Sequence, residues 1–151
     1  MPNLLWNGQP IPNTATYPYL GVPTGAAGID YVTHFSNRTE KAMRHLQILQ
    51  GRGSHWSADA KAVIVRTFIL PSLTYGAGLI GHSPKSIQKQ IVSTWQPTHN
   101  SFLKWIFNLR SLSCGTKILE AQNNIPSPKR QLIEWAIRLT DHLKVQCHST
   151  L

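Results

Sequence analysis

Residues 35–53 read FSNRTEKAMRHLQILQGRG, and their spacing decides the class of fold. Phe35, Ala42, Leu46 and Leu49 recur on one face of a helix at about 100° per residue, and Arg38, Lys41, Arg44 and His45 fall on the adjoining face. Asn37, with Glu40 three residues later, is close to a capping box and predicts a helix start there. Gly51 and Gly53 supply the stop. Such a helix needs partners for its apolar face, and the residues that follow provide them.

Ser57 is placed to cap a segment, ADAKAVIVRTFIL, whose apolar residues run nearly all the way round, as in a helix buried between others. Pro71 is expected to kink or end it, and LTYGAG to close the unit. Ser83-Pro84 reads as a cap followed by a first-turn proline, with Ile87, Ile91 and Trp95 at helical spacing beyond it. Pro97 breaks that pattern, and Phe102, Trp105, Ile106 and Leu109 start a new one. A short helix follows Thr116 and ends near Asn123-Asn124 and Pro126. Ser127-Pro128 repeats the cap-and-proline start, and Leu132, Trp135, Ala136, Leu139 and Leu143 line one face of the last helix.

Upstream the character differs. The first 35 residues contain no Lys or Arg, and their prolines and glycines come in clusters. LLW, NGQP and IP read as a strand, a turn at Asn7-Gly8 and a second strand. YPYLGV is a further aromatic and β-branched run, stopped by Pro23 and Gly25. The expected fold is therefore mainly α: a small N-terminal β-hairpin and loop over residues 1–35, then a bundle of about five or six helices over 36–151. No long linker separates them, which predicts one compact unit, and 151 residues suffice for a real core.

Charge is the unusual total. Fifteen Lys plus Arg face six Asp plus Glu, for a net charge of +9. That balance favours a polyanionic partner, nucleic acid ahead of membrane. No stretch approaches the apolar length of a membrane span, and the N-terminus lacks the basic start and apolar run of a signal peptide. Cys114 and Cys147 lie far apart and fit no disulfide framework, which suits a reduced intracellular setting, nuclear or cytoplasmic.

Catalysis finds little to work with. A two-metal site needs paired carboxylates, and Asp30, Glu40, Asp59, Glu120, Glu134 and Asp141 are never adjacent; caps and solvated faces account for most of them. His142, Cys147 and His148, with Cys114, match none of the usual zinc spacings. There is no Gly-x-Ser-x-Gly elbow, and GVPTGAAG runs into Ile29-Asp30 instead of the Gly-Lys-Ser/Thr of a phosphate loop. Binding remains. Arg38, Lys41, Arg44 and His45 at helical spacing can follow a phosphate backbone, and Arg52, Lys61, Arg66, Lys85 and Lys89 extend the patch if the helices pack side by side.

The order of motifs resembles the end of the palm and the thumb of a non-LTR retrotransposon (LINE-type) reverse transcriptase. YPYLGVPTGAAGID is followed by KAMRHLQIL, then by KAVIVRTFILPSLTYG with its Pro-x-Leu-x-Tyr-Gly ending at Pro71–Gly76. SFLKWIFNLR and TKILEAQNNIPSPKRQLIEWAIRL are similar to the region after the thumb. The resemblance covers roughly residues 4–145 and implies a primer grip at Tyr19, Leu20 and Gly21, ahead of a thumb that holds RNA, DNA or an RNA–DNA hybrid. Arg38, Lys41, Arg44, Lys61 and Arg66 are candidates for the phosphate backbone on charge alone. The family's catalytic aspartates, including an Ala-Asp-Asp turn, precede the hairpin, and this sequence contains no Asp-Asp. The resemblance thus implies a fragment that does not polymerise alone and takes no cofactor of its own, magnesium belonging to the intact enzyme. The alternative is a helical protein-interaction module that self-associates through apolar faces, with Trp95, Trp105 and Trp135 as candidates.

Overall fold

Two positive-φ residues, Asn7 at 50° and Gly8 at 78°, turn the chain between β1 (Leu5–Trp6) and β2 (Gln9–Pro10). This is the two-residue hairpin that an Asn-Gly pair favours, because its twist matches that of the strands. The computed structural model describes residues 5–10, 15–19, 21–80, 83–109, 116–122 and 124–148. Leu20 and Cys114, which entered the sequence reading, lie outside them, as do the side chains of Leu143, Cys147 and His148.

A second sheet has the order β3 (Thr16–Tyr19), β4 (Val22–Gly25), β5 (Gly28–Ile29), all antiparallel. YPYLGV is therefore a hairpin and not a single run. Tyr19 pairs with Val22, and Gly21 sits in the turn at φ 77°. Pro23 does not stop the strand but lies within it, opposite Pro18. Next to a two-residue turn the ladder alternates, so the Pro18–Pro23 position is a non-bonded one that asks for no N–H. The carbonyl of Pro23 accepts from the Asp30 amide at 2.9 Å, outside the ladder proper.

The chain separates into two compact units, Met1–Asp30 and Tyr31–Leu151, so that residues 31–35, read with the first region, fall in the second. The reason is that α1 spans Tyr31–Arg52 and takes in the loop residues assigned to the first region. Asn37 and Glu40 lie inside this helix and form no capping box. Burial of His34 and Phe35 extends the helix back past that local signal. Gly53 ends it, donating its amide to the Leu49 carbonyl at 2.7 Å, and Trp56 packs so closely on Gly53 that a Cβ there would lie 2.5 Å from the ring.

Ser57 caps α2 (Ala58–Ile64) as expected, its hydroxyl accepting from the Ala60 amide at 3.3 Å. The run then widens into a π segment, Val65–Ile69, before α3 (Leu70–Leu73). Leu70 donates to the Val65 carbonyl, five residues back. That wider turn lets Pro71 follow without its ring striking the carbonyl of Thr67, so the helical run continues through it. Gly76, at φ 80°, makes the turn into α4 (Ala77–Ile80).

Helix α5 (Lys85–Phe107) runs past Pro97, against the expected break. Ser83 does not cap it; its hydroxyl turns back to the Ile80 carbonyl at 2.7 Å. Pro97 is exposed, but Trp95, Thr98, His99 and Phe102 on either side of it are buried. Packing on both sides outweighs the one hydrogen bond that the proline removes. Helix α6 (Thr116–Gln122) and helix α7 (Pro128–His148) complete the unit, and Ser127 accepts from the Arg130 amide at 3.4 Å at the start of α7. With α2, the π segment and α3 taken as one run, the described residues of the unit form six helical segments, and the described chain is mainly helical as read.

The core lies where α1 and the α2–α3 run meet α5. Phe35, Ala42 and Leu46 of α1 pack with Val65, Ile69 and Leu73, and with Ile91, Trp95, Phe102 and Ile106 of α5. The rings of Phe35 and Trp95 are 6.4 Å apart. Truncating such a side chain to Ala removes roughly 2–5 kcal/mol. Pro97→Ala should act in the opposite sense. It restores an amide donor to the Ser93 carbonyl in a helix already held in place, and its thermal midpoint should rise, with a gain of roughly 1–3 kcal/mol. A fall in the midpoint would show that the proline ring is itself needed at this point of α5.

Candidate nucleic-acid interface

The outward side of α1 carries the basic arc read from its spacing. Lys41, Arg44 and His45 are exposed and Arg38 is half-buried, with Arg52 in the last turn. From Arg38 to Arg52 the helix rises about 21 Å. Arg44 lies 3.9 Å from Glu40, a solvent-exposed pair that contributes little. No ion pair involves Lys41 among the described residues.

Arg38 is held in place. Its guanidinium lies over the ring of Tyr75, 4.7 Å from the centroid. Tyr75 is in turn fixed to α1 through its carbonyl, which accepts from His34 Nε2 at 2.9 Å. The His34 imidazole is buried, and its Nε2 lies 3.3 Å from where a Cβ on Gly76 would sit. Positive φ favours glycine at 76, and a Cβ there would also press on the His34 ring. The Tyr-Gly ending of the Pro71–Gly76 motif thus clasps the start of α1 and orients one end of the basic arc.

The other sequence candidates go elsewhere. Lys61 is fully buried, its ammonium 2.7 Å from Asn108 Oδ1 and 5.6 Å from the centre of the Trp105 ring. Asn108 ends α5 in the left-handed region, at φ 52°, which brings its amide to the lysine. Lys61 therefore offers no charge to a phosphate on the surface, a correction to its reading as a backbone contact. The helix around it was legible, but not the direction in which one long side chain folds. Arg66 is exposed on the π segment and borders a shallow cleft of about 200 Å³ that it shares with Arg138 and Trp135 of α7 and not with α1. Lys85 and Lys89 project from the first turns of α5 beside α7. In the N-terminal unit, Tyr19 is exposed at the end of β3 and Gly21 occupies the turn after it.

One polar pair escaped the sequence reading. His99 is completely buried on α5, and its Nε2 lies 2.9 Å from Glu120 Oε1 of α6, while its Nδ1 has no hydrogen-bond partner among the described residues. Burial lowers the His99 pKa below the usual 6.5, and the hydrogen bond and charge of Glu120 only partly oppose that. The ring is accordingly neutral, with Nε2–H donating to the carboxylate and Nδ1 a bare lone pair. Twenty-one residues separate the two, and although Glu120 lies in the TKILEAQ stretch nothing there points to His99; a histidine within an apolar helix face was the one available signal. Trp95 and Trp105 are buried rather than displayed, leaving Trp135, about 39% exposed, of the three tryptophans assigned to an open apolar face.

Among the described residues no group of three or more His, Cys, Asp or Glu could hold a metal ion, and no helix is long and apolar enough to cross a membrane. The chain matches no known protein-family model, no curated protein and no solved structure.

Because His99 binds its proton more weakly in the folded than in the unfolded chain, the stability it contributes is full above pH 6.5 and falls as pH drops below that value. The urea midpoint should decrease between pH 7.5 and pH 5, and by less in His99→Gln. Equal decreases in both proteins would refute the assignment. Lys61→Met, which replaces a buried cation by an apolar chain of similar length, should leave polyanion binding unchanged and stability within about 1–2 kcal/mol of the parent.

Proposed function

We propose that this chain is a nucleic-acid-binding, thumb-like portion of a reverse transcriptase of the non-LTR retrotransposon type, and that it grips a template–primer duplex through α1. The observation that carries the reading is the arc of Arg38, Lys41 and Arg44 on one side of a 22-residue helix, in a chain of net charge +9. Bases at this spacing neutralise successive phosphates and release the counterions held there. The stacking of Arg38 on Tyr75 supports it further, since an oriented guanidinium loses less freedom when it takes a phosphate. The order of the motifs from Tyr19 to the last helix supports the family. Tyr19 and Gly21, with Leu20, are proposed as the edge of the primer grip. Without an Asp-Asp turn in its sequence, the chain is not proposed to polymerise by itself, and no metal is assigned to it.

A second reading, a self-associating helical module, draws on the exposed Ile133, Trp135 and Ile137 of α7. With Trp95 and Trp105 buried, it has less apolar surface than the sequence promised.

Fluorescence anisotropy on a labelled primer–template duplex separates the two. Three phosphate contacts give a slope near −2.7 in log affinity against log salt, a loss of roughly 40-fold between 50 and 200 mM. Lys41→Glu with Arg44→Glu should weaken binding at least about tenfold and flatten that slope. No binding at low salt, together with a concentration-dependent mass in light scattering, would favour the second reading.

A further inference from the structure

A groove of about 700 Å³ runs between α5 and α7, and none of Arg38, Lys41 and Arg44 of α1 lines it. Its floor is aliphatic: Ile80, Val92, Leu132 and Ala136, with Ile133 and Ile137 at its margin. Those last two are 51% and 55% exposed, so the groove leaves branched apolar side chains in water. Lys85, Lys89 and Lys129 stand along it, all exposed, and no acid is among its described lining residues. All three lysines fall in the first two turns of their helices, where the helix dipoles add to the positive potential.

We propose that this groove is the docking site for an acidic amphipathic helix of a partner protein. Length fits: the lining follows α5 from Lys85 to Gln96 and α7 from Lys129 to Ile137, about 16 and 12 Å at the helical rise, which is two to three turns of a guest helix. Charge fits as well, since acids flanking the apolar anchors of such a helix would meet the three lysines. Nucleic acid suits the floor poorly, because it offers no aromatic ring for a base to stack on. A second copy would bring +9 against +9 and lysine against lysine. An acyl chain in so open a groove would keep much of its length in water, whereas a helix carries its own polar face to solvent.

Fluorescence polarisation on the full chain provides the test. The probe is a labelled acidic peptide of about 16 residues with leucines at i, i+4, i+7 and i+11; the control has the same composition with the leucines scrambled. The amphipathic peptide should bind in the micromolar range and the scrambled one at least about tenfold more weakly. Ile137→Glu should weaken binding about tenfold and Lys89→Glu about threefold, both at exposed positions where folding is checked by circular dichroism. Lys41→Glu should leave peptide binding unchanged and Ile137→Glu should leave duplex binding unchanged, so either surface can fail without the other. Equal binding of the scrambled peptide would overturn the proposal, as would an unchanged affinity in both groove variants. It is also overturned if a dansylated fatty acid occupies the groove and the peptide does not, or if light scattering shows a dimer that Ile137→Glu abolishes.

Discussion

Everything in the helical unit leans on α5 remaining one helix through Pro97. The residue removes a backbone donor and places a ring against the preceding turn, which in an isolated peptide would end the helix. Here Trp95 and Ile91 bury themselves before it, and His99, Phe102 and Ile106 after it. Because both halves are held against the same partners, the helix axis stays continuous, and α1, α2, α6 and α7 all pack against a single element. Had the chain broken at 97, the two halves of that surface would have been free to separate.

The same competition explains what could be read in advance. Local chemistry that met no opposition was legible: Asn7-Gly8 turned a hairpin, Ser57 and Ser127 capped helices, and the apolar face of α1 entered the core at Phe35, Ala42 and Leu46. Local chemistry that opposed burial was overruled. Asn37 and Glu40 gave way to a helix that begins six residues earlier, and Ser83 turned its hydroxyl backward. Pro71 was accommodated by a change of helical pitch that no residue of VRTFI announces. The basic arc survived because it depends on spacing along one helix. Lys61 did not, because its direction depends on Asn108 and Trp105, forty or more residues away.

Charge is partitioned among distinct settings. The bases of α1 face water along a length of helix, those of α5 and α7 frame an apolar groove, and Lys61 lies inside beside an aromatic ring and a capping amide. A single net charge therefore supports different kinds of contact, one set by electrostatics and salt, another by shape with charge at its margin. The interior lysine belongs to neither, and serves to join the beginning of α2 to the end of α5.

Helix α6 has no buried side chain of its own. The carboxylate of Glu120 ties it to His99 of α5, and the Glu120 carbonyl also receives the amide of Ile125, whose side chain enters the core. A helix that buries no side chain opens at a lower free energy than the bundle beneath it. Its attachment also carries a proton-sensitive group, so acid would loosen this one helix before the rest of the domain responds. The amides of α6 would then exchange with solvent while those of α1 and α5 stayed protected, a division of the unit into a slow centre and a fast margin that a static view of the packing does not display.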